Sequence, residues 1–172
     1  MIKITNNKSK YQPLTKLSSG RYKLNFNLEP YYITDEDGNQ VETDLATWTE
    51  HYFSSKPSIG QVKNFILDTI NKEIDQKILS GMVWKDMPIW LSSENQFNYK
   101  AAYDLAVMSQ GQSLPVMFKF GTTDEPVYYN FETLEDISNF YISAMNYINT
   151  TLAEGWKKKD SIDWTVYENA LK

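Results

Sequence analysis

The stretch 58–93, SIGQVKNFILDTINKEIDQKILSGMVWKDMPIWLSS, decides the fold. Apolar side chains recur at Val62, Phe65, Ile66, Ile70, Ile74 and Ile78, the i, i+3, i+4 spacing that gathers one face of a helix. Both ends carry signals. Ser58 with Gln61 three residues on reads as a capping box, in which each side chain satisfies a backbone N–H that the first turn leaves unpaired. Gly81 reads as the stop, since a residue without Cβ enters the left-handed region at little cost. The Trp-rich segment that follows reads as two short strands, 82–84 and 88–92, on either side of Lys85-Asp86.

On the N-terminal side, residues 1–20 are polar and read as a loop or an arm. Residues 21–28 alternate, with Tyr22, Leu24, Phe26 and Leu28 on one side of a half-buried strand. A short extended run at 31–34 leads to Asp37-Gly38, the strongest hairpin signal in the chain, and 48–53 reads as a further strand before Pro57. On the C-terminal side, Ser93 with Gln96 opens a helix whose face is Phe97, Ala101, Leu105 and Met108, ending by Gly111. Val116, Phe118 and Phe120 then face Val127, Tyr129 and Phe131 across a hairpin. Thr133 with Asp136 caps a last long helix that turns Ile137, Phe140, Tyr141, Ala144, Ile148 and Leu152 inward and stops at Gly155. A short amphipathic segment with Ile162, Trp164, Val166, Tyr167 and Leu171 closes the chain.

Strand pairs joined by short turns make an antiparallel sheet, so the fold class is α+β, with three main helices at about 58–80, 93–110 and 133–155. The expected organisation is a β-rich N-terminal region, 1–56, and an α+β domain, 57–172, or the two as one continuous domain. The length of 172 residues is enough for a substantial core.

The net charge of −5 argues against nucleic acid as a partner, because binding phosphates takes basic surface. The one basic run, Lys157-Lys158-Lys159, follows a helix that opens with Glu132, Glu135 and Asp136, an arrangement that complements the helix dipole. With no cysteine, the chain has neither a thiol nucleophile nor a cysteine metal site, and one histidine, His51, supplies no two-histidine site. The Gly residues are scattered, so no phosphate-cradling loop is present, and no G-x-S-x-G elbow occurs. Asp35-Glu36-Asp37-Gly38 lacks the ligand spacing of a calcium loop and suits a solvated turn. The expectation is no cofactor, no metal and no catalytic residue. Trp84 and Trp90 flank one turn. Core packing is the ordinary reading of both, and the functional reading is a ring platform for a sugar or a protein partner.

From about residue 70 to 167 the chain resembles a domain of unknown function encoded by tailed phages and prophages, found at the C-terminal end of tail-fibre-type proteins. The residues that carry it are 74–81 (IDQKILSG), the Val83-Trp84 strand, Leu91-Ser92 with Gln96 and Asn98, the 115–118 strand (PVMF), and the helix around Phe140-Tyr141 that runs to Trp156. The resemblance implies a non-enzymatic role in the tail or in virion assembly, with other phage tail proteins or a second copy of the chain as partner. A carbohydrate-binding module using exposed Trp and Tyr is the alternative, and an uncharacterised hydrolase a further one. The opening residues lack the apolar core of a signal peptide and no segment reads as membrane-spanning. Synthesis in a bacterial or host cytoplasm, with later association with the virion, is the expectation.

Overall fold

Asp35 sets the first hairpin: its carboxylate accepts the backbone N–H groups of Asp37 and Asn39 at 3.0 and 2.8 Å, and Gly38 reverses the chain at a positive φ. The computed structural model describes all 172 residues. Two long strands flank this turn, β3 (Tyr22–Thr34) and β4 (Gln40–Phe53). The runs that read as separate strands at 21–28 and 31–34 are therefore one, and the strand read at 48–53 begins earlier, at Gln40. Register shifts between Phe26 and Glu29 and between Pro30 and Tyr32, with Asn27 at φ 56°, absorb the residues that break the alternation.

The first twenty residues are not a loop. β1 (Ile2–Asn7) pairs antiparallel with β4, and β2 (Leu14–Lys16) with β3, giving a four-stranded sheet in the order β1-β4-β3-β2. Both are edge strands held by backbone pairing to a hairpin formed without them. The mostly exposed β1 needs no apolar face, and β2, whose Leu14 is buried, is only three residues long, and that hid them in the sequence.

α1 (Ile59–Leu79) follows, and its capping box closes in both directions: Ser58 Oγ accepts from the Gln61 N–H at 3.2 Å, and Gln61 Oε1 from the Ser58 N–H at 2.8 Å. Ser58→Ala is expected to cost about 1 kcal/mol, read as a lower denaturant midpoint. An unchanged midpoint would mean that water replaces the cap at no cost.

The chain divides into two compact units, Met1–Asp68 with Ile162–Lys172, and Thr69–Ser161. In the first, Leu24, Phe26, Ala46 and Trp48 of the sheet and Val62 and Ile66 of α1 are buried. A short helix, α4 (Thr165–Ala170), belongs to this unit. Its Tyr167 is buried and donates to the Asn25 carbonyl at 3.3 Å, as Tyr11 does at 3.0 Å. Burial pushes both phenols up.

The second unit has the C-terminal half of α1 from Thr69, two hairpins and two further helices: β5 (Met82–Trp84) with β6 (Met87–Ile89), α2 (Ser93–Met108), β7 (Val116–Gly121) with β8 (Pro126–Phe131), and α3 (Leu134–Asp160). All pairing is antiparallel, so the α+β class stands. Lys85 and Asp86 both take positive φ, 48° and 60°, the mirror-image turn whose twist matches the flanking strands even without Asn-Gly. The β7–β8 register places Val116, Phe118 and Phe120 opposite Phe131, Tyr129 and Val127. Ile78, Ile89, Leu91, Tyr99, Phe120, Phe131, Ile137 and Phe140 form one core.

Three readings of this unit change. α3 does not stop at Gly155 but runs to Asp160, which puts the lysine run in its last turn. Gly155 is a packing residue: a Cβ there would overlap the end of the Ile74 side chain. The second change concerns α2. Phe97, Ala101, Leu105 and Met108 face outward, and Tyr99, Ala102, Tyr103 and Ala106 turn toward the core. α2 carries two stripes at helical spacing, and hydropathy favours the wrong one. Tyr99 wins the interior because its ring meets Phe118 at 5.0 Å and Phe140 at 4.9 Å while its hydroxyl donates to the Trp90 carbonyl at 3.2 Å. Burial raises that phenol to about 12. The cap also sits one residue earlier than expected, at Ser92, which accepts from the Asn95 N–H at 3.2 Å.

No helix is long and apolar enough to cross a membrane.

Candidate functional site

The outer face of α2 is built by its cap and its inner face together. Ser92 fixes the start, Gln96 Nε2 donates back to the Leu91 carbonyl at 2.7 Å, and Tyr103 stacks on Tyr141 of α3 at 4.5 Å. With about 100° per residue, burying Tyr99 and Ala106 points Phe97 and Met108 the opposite way. Phe97 is 72% exposed, Met108 82% and Leu105 56%. Scattered exposed apolar residues are ordinary. Three large ones on the same helical face, joined by the small Ala101, form a stripe. Beside it Lys100 and Asp104 pair at 2.6 Å along the helix.

Trp84 and Trp90 sit in different environments, although they flank the same turn. Trp84 is a core ring, 9% exposed, packed at 5.1 Å from Phe140, 5.2 Å from Tyr129 and 5.6 Å from Phe131. Lys85 covers its remaining face with Nζ 4.5 Å from the ring centroid. Trp90 is 52% exposed, and its indole N–H donates to the Gly121 carbonyl at 2.7 Å. Its own carbonyl accepts from Asn95 Nδ2 and from the Tyr99 hydroxyl, each at 3.2 Å. Trp90 borders a hollow of about 220 Å³ lined also by Asn95, Lys119, Thr122 and Thr123. The two rings therefore do not make one platform.

Two carboxylates are held in aromatic-lined clusters. Asp136 accepts from Lys85 at 2.7 Å and from the Tyr129 hydroxyl at 2.6 Å. Partial burial pushes this carboxyl up, but the bonds from Lys85 and Tyr129 outweigh it and hold it below the ordinary value. In the first unit, Glu50 accepts from Lys23 at 3.0 Å and from the Tyr52 hydroxyl at 2.9 Å, with the same balance and the same direction. Both carboxylates stay ionised at neutral pH, whereas a general acid needs its pKa raised.

His51 stacks on Phe65 at 3.8 Å and meets Phe53 edge-on at 4.8 Å. Burial, assisted by the N-terminal amine, lowers its pKa. The folded state therefore resists a proton that the unfolded chain takes up near the ordinary value of 6.5. Stability from this residue is full above that value and is lost as pH falls from it toward the folded pKa. Between pH 7.5 and 5.5 the protein should lose more stability than His51→Phe does. Parallel curves for the two would mean that His51 titrates alike in both states.

No three His, Asp or Glu side chains converge in a way that could hold a metal ion. The Asp35 carboxylate is engaged by its own turn, and the bonds from Asn39 and its neighbours lower its pKa.

Comparison of the chain with protein-family models, with characterised proteins and with solved structures finds no match. The stripe on α2 was legible in the sequence as a set of residues. The signal that could have turned it outward is the competing run Tyr99, Ala102, Tyr103, Ala106, whose small and aromatic residues suit close packing against another helix.

Proposed function

We propose that the chain works by association rather than by turnover, as a tail-associated or virion-assembly component of a phage or prophage. The observation that carries the association reading is the outward stripe Phe97, Ala101, Leu105 and Met108. Exposing large apolar side chains along one face of a helix costs solubility, and a partner surface is what such a stripe fits. The phage reading is supported by the resemblance over about 70–167, which nearly coincides with the second unit, Thr69–Ser161. The two carboxylate clusters favour association over turnover in a lesser way, since each is held ionised by its own lysine and by a tyrosine hydroxyl that donates to it.

The test is co-purification from a phage lysate that contains the tail proteins. The chain is expected to retain tail proteins, and the double substitution Phe97→Ser with Met108→Ser to reduce retention at least about tenfold, the effect of removing two central apolar anchors. Its melting temperature should stay put, because both side chains are outside the core. Hydrolysis of a glycan or peptide by the purified chain, without tail-protein retention, would reverse the reading.

A second reading rests on Trp90. Its ring is exposed, held in orientation by the bond to Gly121, and bordered by Asn95, Lys119 and two threonines, groups that stack on and hydrogen-bond a sugar. Saturable changes in tryptophan emission on titration with oligosaccharides, lost in Trp90→Ala, would favour it.

A further inference from the structure

We propose that the occupant of the α2 stripe is a second copy of the same chain, with the two α2 helices antiparallel across a two-fold axis near residue 102. The inference rests on the association reading and names its partner. A two-fold interface must be self-complementary, residue i meeting j while j meets i. The stripe satisfies this. Phe97 and Met108 lie near its two ends, about 16 Å apart along the helix, so reversal brings each beside the other of the second copy. Ala101 falls next to the axis and meets its own counterpart, and the small side chain lets the helices approach to about 8 Å.

The charges obey the same symmetry. Lys100 and Asp104 lie on one flank of the stripe, one turn apart and centred on residue 102. A two-fold axis through that point maps this flank onto itself and sets Lys100 of each copy against Asp104 of the other. The bond within each helix, both partners of which are about half exposed, is exchanged for two between helices. A partner of other sequence would meet a lysine and an aspartate on one flank with no such requirement.

The area sets the class of interface. At their exposures, Phe97, Leu105 and Met108 leave on the order of 400 Å² of apolar surface open, where a standard interface takes about 800 Å² from each partner. The flanking side chains add to this without reaching the obligate range, so the dimer is reversible and its formation depends on concentration.

Sedimentation of the full chain from about 1 to about 500 μM follows that dependence. The expected mass rises from 20.0 kDa toward twice that value. Phe97→Ser with Met108→Ser should weaken dimerisation at least about tenfold. Lys100→Asp and Asp104→Lys should each weaken it about 3- to 10-fold, and the two together should restore it, since the exchanged charges again match. That rescue separates this arrangement from general stickiness of the face. Because the chain has no cysteine, Ala101→Cys alone introduces a single thiol at the axis. Under mild oxidation it should form a disulfide-linked dimer much faster than the exposed control Lys72→Cys. A chain that stays at 20.0 kDa throughout overturns the inference. So does a dimer indifferent to the stripe and charge substitutions. A monomer that still loses tail-protein retention on Phe97→Ser with Met108→Ser overturns self-pairing and leaves the association reading standing. A monomer whose retention ignores those substitutions removes both.

Discussion

Gly81→Ala costs about 3–5 kcal/mol of stability, while Gly111→Ala costs only about 1–2 kcal/mol. The two glycines have nearly the same backbone, φ +85° and +86°, so alanine suffers the same left-handed strain at each. They differ in what lies beside them. Gly111 opens onto empty space, whereas a Cβ on Gly81 would strike the backbone carbonyl of Ile89 and crowd Trp90 Cα. That carbonyl belongs to β6, whose Ile89 pairs with Met82 of β5 and whose side chain is in the core, so it has nowhere to move. Helix propensity offers no compensation, because Gly81 lies past the end of α1. Denaturant midpoints of the two variants, with unchanged slopes, measure the difference. Equal losses would show that the β5–β6 hairpin yields and that only the backbone angle matters.

Local chemistry made most of the fold legible, and what it left out was decided at a distance. The caps at Ser58 and Thr133, the turn at Asp35, the register of β7 with β8 and the inward face of α3 all depend on residues within a few positions, or on a face rich enough to have one solution. β1 was missed because its stabilising bonds are made by backbone to β4, 38 to 48 positions away, and its side chains need not be apolar; β2 was missed because three residues are too short a run to show an alternation. Gly155 was misread for a related reason. A glycine at the C-terminal part of a helix is ordinarily a stop, and only the nearness of Ile74, from another helix, makes it an interior contact. The face of α2 failed differently: two stripes were present, and the choice between them depends on which aromatic cluster waits beneath. Tyr99 can be buried only because the Trp90 carbonyl is there to receive its hydroxyl. The candidate site is thus a by-product of core selection. Its residues could be named from the sequence, but their direction could not.

Trp84→Ala is expected to cost about 3–5 kcal/mol, and Trp90→Ala no more than about 1 kcal/mol. Trp84 touches three core rings, so removing it opens a cavity between β5, β8 and α3 that Tyr129, Phe131 and Phe140 cannot close without leaving their mutual contacts. The loss also strips the ring from beneath Lys85, although the lysine keeps its bonds to Tyr129 and Asp136. Trp84→Phe should recover part of the stability by refilling some of the space. At Trp90 half the ring already lies in water, so its removal opens no closed cavity, and the one bond lost, to the Gly121 carbonyl, is worth about 1 kcal/mol. A loss of partner or ligand binding in Trp84→Ala therefore says nothing about a binding surface, because the fold is altered with it. The same loss in Trp90→Ala, at unchanged stability, would place the ligand on the hollow between Asn95 and Thr123. Comparable destabilisation by both substitutions would mean that Trp90 is also held by packing, and its ring would then be no freer for a ligand than that of Trp84.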